Sequence, residues 1–437
     1  MTKRIAKAQP AQAITFAPGA AIPLRFINRH GVIAGATGAG KSTTVRTLVE
    51  QLSAAGVPVL ISDAKGDLSG LAKVVPTRFW CPFGEQGLPI KTSVDELGQL
   101  ALSRLLGLND VQSGVLSIAF RWLQDRDSPL AGCRLMDADD LREVVGSLLD
   151  YADDLRARHG NVTSASVGAI QRAILQLEGQ GGAALFGEPA LRLDDLLATD
   201  ESGRGVVNLI AADRMLDAPA LYSALVVWLL TSLFAQLPEV GDADKPRLAI
   251  VVDEAHLLFA DAPKLLVDTV ERVVRLIRSR GVGVFFASQN ALDIPPKIAA
   301  QLGNRVQHAM RAYTPAEAKA VRAVAQTFRQ AKGVDTAKAI VEMGIGEALI
   351  SVIGDGGVPS PVVRAKVRLP ASPSAPLDEL ERVALIRKDT LRPFYGRRFP
   401  SRTEEFEAFT ARLEAQEAAP MAAAERASWR ESDPVPS

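Results

Sequence analysis

An α/β fold, with a largely parallel sheet covered by helices, is predicted by three observations. Apolar, β-branched runs alternate with segments of helical periodicity along most of the chain. A glycine-rich turn joins an early apolar run to a helix. Several later runs end in acidic or amide residues, and ligands gather at the C-terminal ends of parallel strands. The 437 residues, 47% hydrophobic and 23% charged, suffice for a large core without staples and exclude disordered, collagen-like and coiled-coil chains.

The elements follow in order. Gly31–Ala34 is a short strand leading into the glycine turn, and Ser42–Leu52 a helix. VPVLIS at 57–62 is an almost wholly apolar strand ending at Asp63, which completes a βαβ unit. A short strand is expected at Arg78–Cys81. From Val94 to about Leu197 apolar residues recur at helical spacing, so a helical insertion is expected, punctuated at Gly179–Gly182 and Asp137–Asp140. Strands resume at Gly205–Ile210, Leu248–Val252, Val282–Ala287 and Arg305–Met310. Helices are expected at Leu221–Leu237, Lys264–Arg280 and Pro315–Phe328. Glu347–Ile353 and Val362–Val367 close the sheet. Ala371–Ala375 reads as a Pro/Ser linker, Leu377–Lys388 as a helix, and the rest as a partly disordered tail. The domains are thus an N-terminal segment (1–28), two core parts (29–93 and 205–369), the insertion (94–204), and a linker with tail (370–437).

Charge and cysteine content narrow the function. With 50 Lys+Arg against 50 Asp+Glu the chain is no globally basic nucleic-acid binder, so such binding needs local patches. No acidic residue precedes Glu50, whereas 403–437 carries eight acidic residues against three arginines. Cys81 and Cys133 form no CxxC pair, and a reducing, cytoplasmic setting is expected. No signal peptide or membrane span is expected. The uncharged stretch 218–238 is long enough to cross a bilayer, but its polar residues and its place between two strands make it a core helix.

The chemistry starts at Gly35-Ala36-Thr37-Gly38-Ala39-Gly40-Lys41-Ser42, which satisfies GxxxxGK[ST]. Glycines let backbone N–H groups curl around phosphate, and the helix adds its positive end. Lys41 reaches the β/γ oxygens and the Ser42 hydroxyl ligates Mg2+; Thr43 extends the nucleotide-binding set. A second half lies in LAIVVDE: Asp253 holds the metal's water shell and Glu254 takes a proton from attacking water. That acidic pair favours hydrolysis over a small-molecule kinase. Gln289 ends the strand GVGVFFAS as a γ-phosphate sensor or a turn-capping amide. Arg278 or Arg280 is an arginine finger for a neighbour's site, or part of a solvated helical face with Glu271, Arg272 and Arg275. Asp63, Lys65 and Asp67 end a strand on the same edge. Asp63 is either near the γ-phosphate or caps its loop, and His256 either transmits nucleotide state or packs. His30, His159 and His308 are assigned to no metal. The Arg/aromatic run 392–402 binds a nucleic-acid strand or docks on the body.

The phrases NRHGVIAGATGAGKS, SDAKGDLSGLA, SRLLGLNDVQSGVLSIAF, DEAHLLF, RLIRSRGVGVFFASQN and QLGNRVQHAMRA resemble the bacterial HerA-like ATPases of the YjgR type, in the HerA/FtsK superfamily. The resemblance covers about 29–367. It implies a RecA-like P-loop NTPase core with ATP and Mg2+ as cofactors. It further implies a ring, usually hexameric, with sites at subunit interfaces, and movement of double-stranded DNA. Lys41, Ser42, Asp253, Glu254 and Gln289 match the family's functional positions, and Arg278 or Arg280 its finger. Two departures stand out. Only 34 residues precede Gly35, fewer than HerA's β-barrel domain needs, and 212 positions separate Lys41 from Asp253. The expected activity is ATP hydrolysis by a DNA-translocating motor. The alternative is a slow nucleotide-gated switch whose helical insertion binds a protein partner.

Overall fold

A computed structural model describes residues 13–241, 243–354 and 356–396. The strands in chain order are β1 (Ala13–Ala17), β2 (Ala20–Pro23), β3 (Gly31–Ala34), β4 (Val59–Asp63), β5 (Thr77–Cys81), β6 (Leu88–Pro89), β7 (Val207–Ala211), β8 (Leu248–Val252), β9 (Val282–Ser288), β10 (Asn304–His308), β11 (Glu347–Ser351) and β12 (Val363–Lys366). Among the described residues, ten of these form one sheet in the order β12-β11-β10-β3-β9-β8-β4-β7-β5-β6. Every pairing from β10 to β6 is parallel, while β10–β11 and β11–β12 are antiparallel. The sheet is therefore mixed but mostly parallel, and helices cover it, as the alternation of runs predicts.

Strand alternation sends successive side chains to opposite faces. Val32 and Ala34 join one core and Ile33 the other; Ile250 and Val252 join the first, Ala249 and Val251 the second. The helix α1 (Lys41–Ala54) covers the second face. The first face is covered by α2 (Val94–Leu105), later helices of the insertion, α7 (Pro219–Gln236) and α9 (Lys264–Ile277). Between them in sequence lie α3 (Asp110–Gln124), α4 (Ala138–Ser147), α5 (Ala152–Arg158), α6 (Ser164–Gly179) and the short α8 (His256–Phe259). Helix α7 is long and apolar enough to cross a membrane by length and composition. Here it packs against α2, α8 and α9, and an apolar surface around most of its circumference suits that enclosed position. The amphipathic α9 buries Leu266, Val270, Val273, Val274 and Ile277, one helical stripe.

One expectation is corrected and two segments gain structure. In the N-terminal segment β1 and β2 form a hairpin turned at Pro18-Gly19, and Gln51 of α1 bridges the backbone N–H and C=O of Thr15. Asp137–Asp140 is a helix start rather than a break. The Asp137 carboxylate caps α4 by accepting from the N–H groups of Asp139 and Asp140. The 371–375 linker is fixed across α1. Glu50 accepts from the N–H groups of Ala371 and Ser372, and Arg46 donates to the Ser372 carbonyl. Past the observed helix Glu379–Lys388, Tyr395 is buried. It meets Trp80 edge-on at 5.0 Å and donates its hydroxyl to Asp195. The described part of 392–402 thus docks on the body; 397–402 and the tail beyond lie outside the described residues.

Candidate functional site

The phosphate loop follows β3 and enters α1, and its shape depends on close backbone approach. Gly35 has φ +153°, and a Cβ there would stand 2.5 Å from the Cβ of His308. Gly40 has φ +116° and abuts Gly346. Neighbouring strands staple the loop. The N–H of Gly35 donates to Ser288 O of β9, and the N–H of Ala36 donates to Ala309 O just past β10. Gly346, just before β11, donates to Ala39 O. The buried Lys41 ammonium donates to Gly35 O at 2.7 Å and Ala36 O at 3.3 Å, so it lies inside the loop's curl. Burial lowers its pKa, opposed by the charge of Glu254.

The carboxylates come from β8 and β4, two and three strands away from β3 in the sheet. Asp253 and Glu254 follow β8 directly. Tyr222 of α7 fixes this strand end: its hydroxyl donates to Asp253 O at 2.5 Å and meets Ser62 Oγ at 2.8 Å, while Asp253 N donates to the same Ser62 Oγ. Glu254 is 2% exposed and has φ +45°, a conformation that costs a non-glycine residue about 1–3 kcal/mol. Its carboxylate pairs with Lys65 through Oε1 and faces His256 Nδ1 at 3.1 Å through Oε2. Burial lowers the Lys65 pKa, but the hydrogen bond and charge of Glu254 outweigh it, so the net shift is upward.

Asp63 caps its loop through one oxygen: its Oδ2 accepts from the N–H of Leu68 at 3.0 Å. Asp67, one turn on, accepts the Ser42 hydroxyl at 2.9 Å. Burial pushes Asp63 up to about 7, with the charge of Asp67 adding to it. Asp253 is likewise pushed up to about 7 by burial and then by Glu254. Asp63 and Asp67 each keep a buried oxygen without a hydrogen-bond partner. Among the described residues no three carboxylates, histidines or cysteines are grouped to hold a metal ion by themselves, so a Mg2+ here would rest on the Ser42 hydroxyl, a nearby carboxylate and the phosphates.

Gln289 follows Ser288 at the end of β9, beside the start of the phosphate loop, with its side chain exposed. Its neighbour Asn290, not Gln289, caps the next turn, with Asp293. Arg278 and Arg280 precede β9, at the opposite edge of the sheet. The seven residues of β9 put them about 20 Å from this subunit's own loop. Arg280 donates to Leu237 O, lies over Phe234 at 5.1 Å, and approaches Glu239.

His308 is a site residue that the sequence does not reveal. It is fully buried, with Nδ1 2.9 Å from Glu347 O and Nε2 2.7 Å from Thr44 Oγ1. The carbonyl only accepts, so Nδ1 carries the proton and Nε2 accepts from Thr44. Burial, then the charge of Lys41, lowers its pKa to about 4. Between 6.5 and 4 the unfolded chain binds a proton that the folded chain refuses, so this contribution to stability is present above 6.5 and lost as pH falls. Urea midpoints of wild type should therefore drop more steeply than those of His308→Gln from pH 7 to 4.5. A constant gap between the two would contradict this role.

A cleft of about 860 Å3 between α2, residues 190–194, α7 and α9 contains none of these groups. Cys81 and Cys133 are free thiols.

Comparison with known proteins bears on the family and the fold. The profile of the helicase HerA-like C-terminal family matches residues 10–75 and 73–437. A probable helicase of Methanocaldococcus jannaschii is 22% identical over 360 residues, 74% of this chain and 63% of that protein; the chain thus spans under two thirds of that relative. The plasmid coupling protein TrwB in complex with a non-hydrolysable ATP analogue has 17% identity and a TM-score of 0.61, covering 84% of this chain and 92% of that one. TrwB with ADP and Mg2+ gives a TM-score of 0.56 at 17% identity and the same coverage. VirB4 of Thermoanaerobacter pseudethanolicus gives 0.55 at 14% identity, covering 83% and 97%. These structures share the fold of P-loop ATPases.

Proposed function

This chain belongs to the helicase HerA-like C-terminal family, and from that premise we propose that it is a Mg2+-dependent ATPase that works as an oligomeric, DNA-translocating motor in the cytoplasm. One observation carries the reading: Lys41 and Ser42 stand at the same sheet edge as Asp253 and a buried, conformationally strained Glu254. In this reading Lys41 and the N–H groups of Gly35 to Thr43 bind the phosphates. Ser42 and Asp253, with Asp67 behind Ser42, hold Mg2+, which neutralises phosphate charge. Glu254 takes the proton of the attacking water, and Gln289 orients that water against the γ-phosphate. TrwB's complexes with an ATP analogue and with ADP and Mg2+ support both cofactors. The probable helicase supports the motor.

The position of Arg278 and Arg280 supports a ring, in our reading hexameric and threaded by double-stranded DNA. Held about 20 Å from their own loop, one of the two, Arg278 or Arg280, serves a neighbour's site as a finger in trans. Mixing tests this. Arg278→Ala/Arg280→Ala chains and Glu254→Gln chains should each be inactive alone, and together regain turnover through interfaces that pair an intact Glu254 with intact arginines. Mixtures no more active than their parts would exclude a shared site.

The alternative is the slow switch, with a protein partner on the helical insertion. The pairing of Glu254 with both Lys65 and His256 favours it, because a base so engaged must be released before it accepts a proton.

A further inference from the structure

A chain whose basic and acidic residues balance holds DNA only through a local patch. The run from Arg311 to Glu342, just past β10, carries six basic residues against three acidic. Those three acids are engaged within the run. Glu317 accepts from the N–H groups of Tyr313 and Thr314 and from the Thr314 hydroxyl. Asp335 caps the helix Thr336–Glu342 through the N–H of Lys338, and Glu342 meets the Lys338 ammonium at 3.9 Å.

The uncompensated cations gather on one face. The helix Pro315–Gln326 buries Val321, Val324 and Ala325. Lys319, Arg322 and Gln326 recur at helical spacing on the opposite side, exposed, along about 10 Å of helix. Arg311 and Tyr313 lie on the segment that enters this helix, and the bonds to Glu317 hold that segment against the first turn. Tyr313 is 85% exposed. The side chains of Arg311, Lys319 and Arg322 make no hydrogen bond or ion pair among the described residues. Cations with a phenol hydroxyl beside them are donors suited to phosphate oxygens.

The inner face of the same helix reaches the nucleotide site. Val321, Val324 and Ala325 share a core with Ala39 of the phosphate loop, and Ala291, two residues past Gln289, packs on it. Ala309, two residues before Arg311, accepts from the N–H of Ala36 in that loop.

We propose that the face carrying Arg311, Tyr313, Lys319 and Arg322 grips the phosphate backbone of double-stranded DNA, and that the helix beneath it couples this grip to the phosphate loop. The inference rests on the motor reading above and adds to it the place where the duplex is held.

The test measures binding of a labelled long duplex to the full chain across a salt series, with ATP turnover on the same preparations. Each phosphate contact contributes about 0.9 to the slope of log affinity against log salt. Lys319→Gln/Arg322→Gln should weaken duplex binding and flatten that slope by about two for each subunit that touches the duplex. It should abolish stimulation of turnover by DNA and leave DNA-free turnover and ATP affinity unchanged. Lys319→Arg/Arg322→Lys should restore binding and slope. Tyr313→Phe, which removes a neutral donor, should weaken binding and keep the slope. An unchanged slope in the glutamine variant would overturn the surface, as would equal loss in the charge-conserving variant. Loss of assembly together with binding would also overturn it and place the pair at a subunit contact. Loss confined to single-stranded DNA would overturn the duplex as its occupant. A wild-type chain that turns over ATP but binds no duplex at any salt would defeat the motor reading itself, and the surface with it.

Discussion

Glu254→Gln is expected to lower ATP turnover by roughly 10²–10⁴-fold while ATP stays bound, the range that a positioned general base contributes. The substitution keeps the shape of the side chain, so the backbone at φ +45° and the packing around a 2%-exposed residue stay in place. It removes the negative charge that accepts a proton and that pairs with Lys65 and His256. Nucleotide binding belongs to other groups, chiefly Lys41 and the loop's N–H donors. Single-turnover hydrolysis and equilibrium ATP binding, measured on one preparation, separate the two effects. Normal turnover would remove Glu254 from the mechanism.

Lys41→Ala is expected to act one step earlier, on binding. The ammonium sits within hydrogen-bond reach of Gly35 O and Ala36 O, inside the curl that receives the phosphates. A hydrogen bond to a charged group is worth about 1.5–3 kcal/mol, so ATP affinity should fall roughly ten- to hundred-fold. Turnover should fall below detection, because the same charge meets the γ-phosphate. The fold should persist. Removing Lys41 leaves Glu254 with Lys65 as its partner, and α1 keeps its packing on the core through Val45, Leu48 and Leu52. Equal ATP affinity in variant and wild type would place the phosphates elsewhere.

What could be read from the chain follows from how local each signal is. The central strands were legible because both faces of β3, β4, β7, β8 and β9 are buried, which demands unbroken apolar runs. The β1–β2 hairpin was not: its short strands are rich in small residues, and the Pro18-Gly19 turn lies in a stretch, 8–24, with no charged residue to mark an outer face. Asp137 shows a different limit. Aspartate serves a loop and a helix cap equally, and only the N–H groups it meets decide between them.

The same holds at the site. Gly35–Ser42 and Asp253–Glu254 announce themselves through fixed spacing and a strand that ends in acid. The bond from Ser42 to Asp67 spans 25 positions and that from Thr44 to His308 spans 264, so no local pattern marks either. The Lys65–Glu254 pair is of that kind too. A partial signal was present in SDAKGD: Gly66 at φ +75° turns the chain so that Asp67 comes back toward the loop while Asp63 holds the turn.

The most direct test of the central claim is steady-state ATP hydrolysis with and without long duplex DNA, at low and moderate salt, with Lys41→Ala as the blank. The account predicts turnover that rises with DNA, rises more at low salt because phosphate contacts weaken as salt increases, and vanishes in the blank. Turnover that needs Lys41 but ignores DNA at both salt concentrations would contradict the motor. Turnover no greater than the blank under every condition would contradict the ATPase.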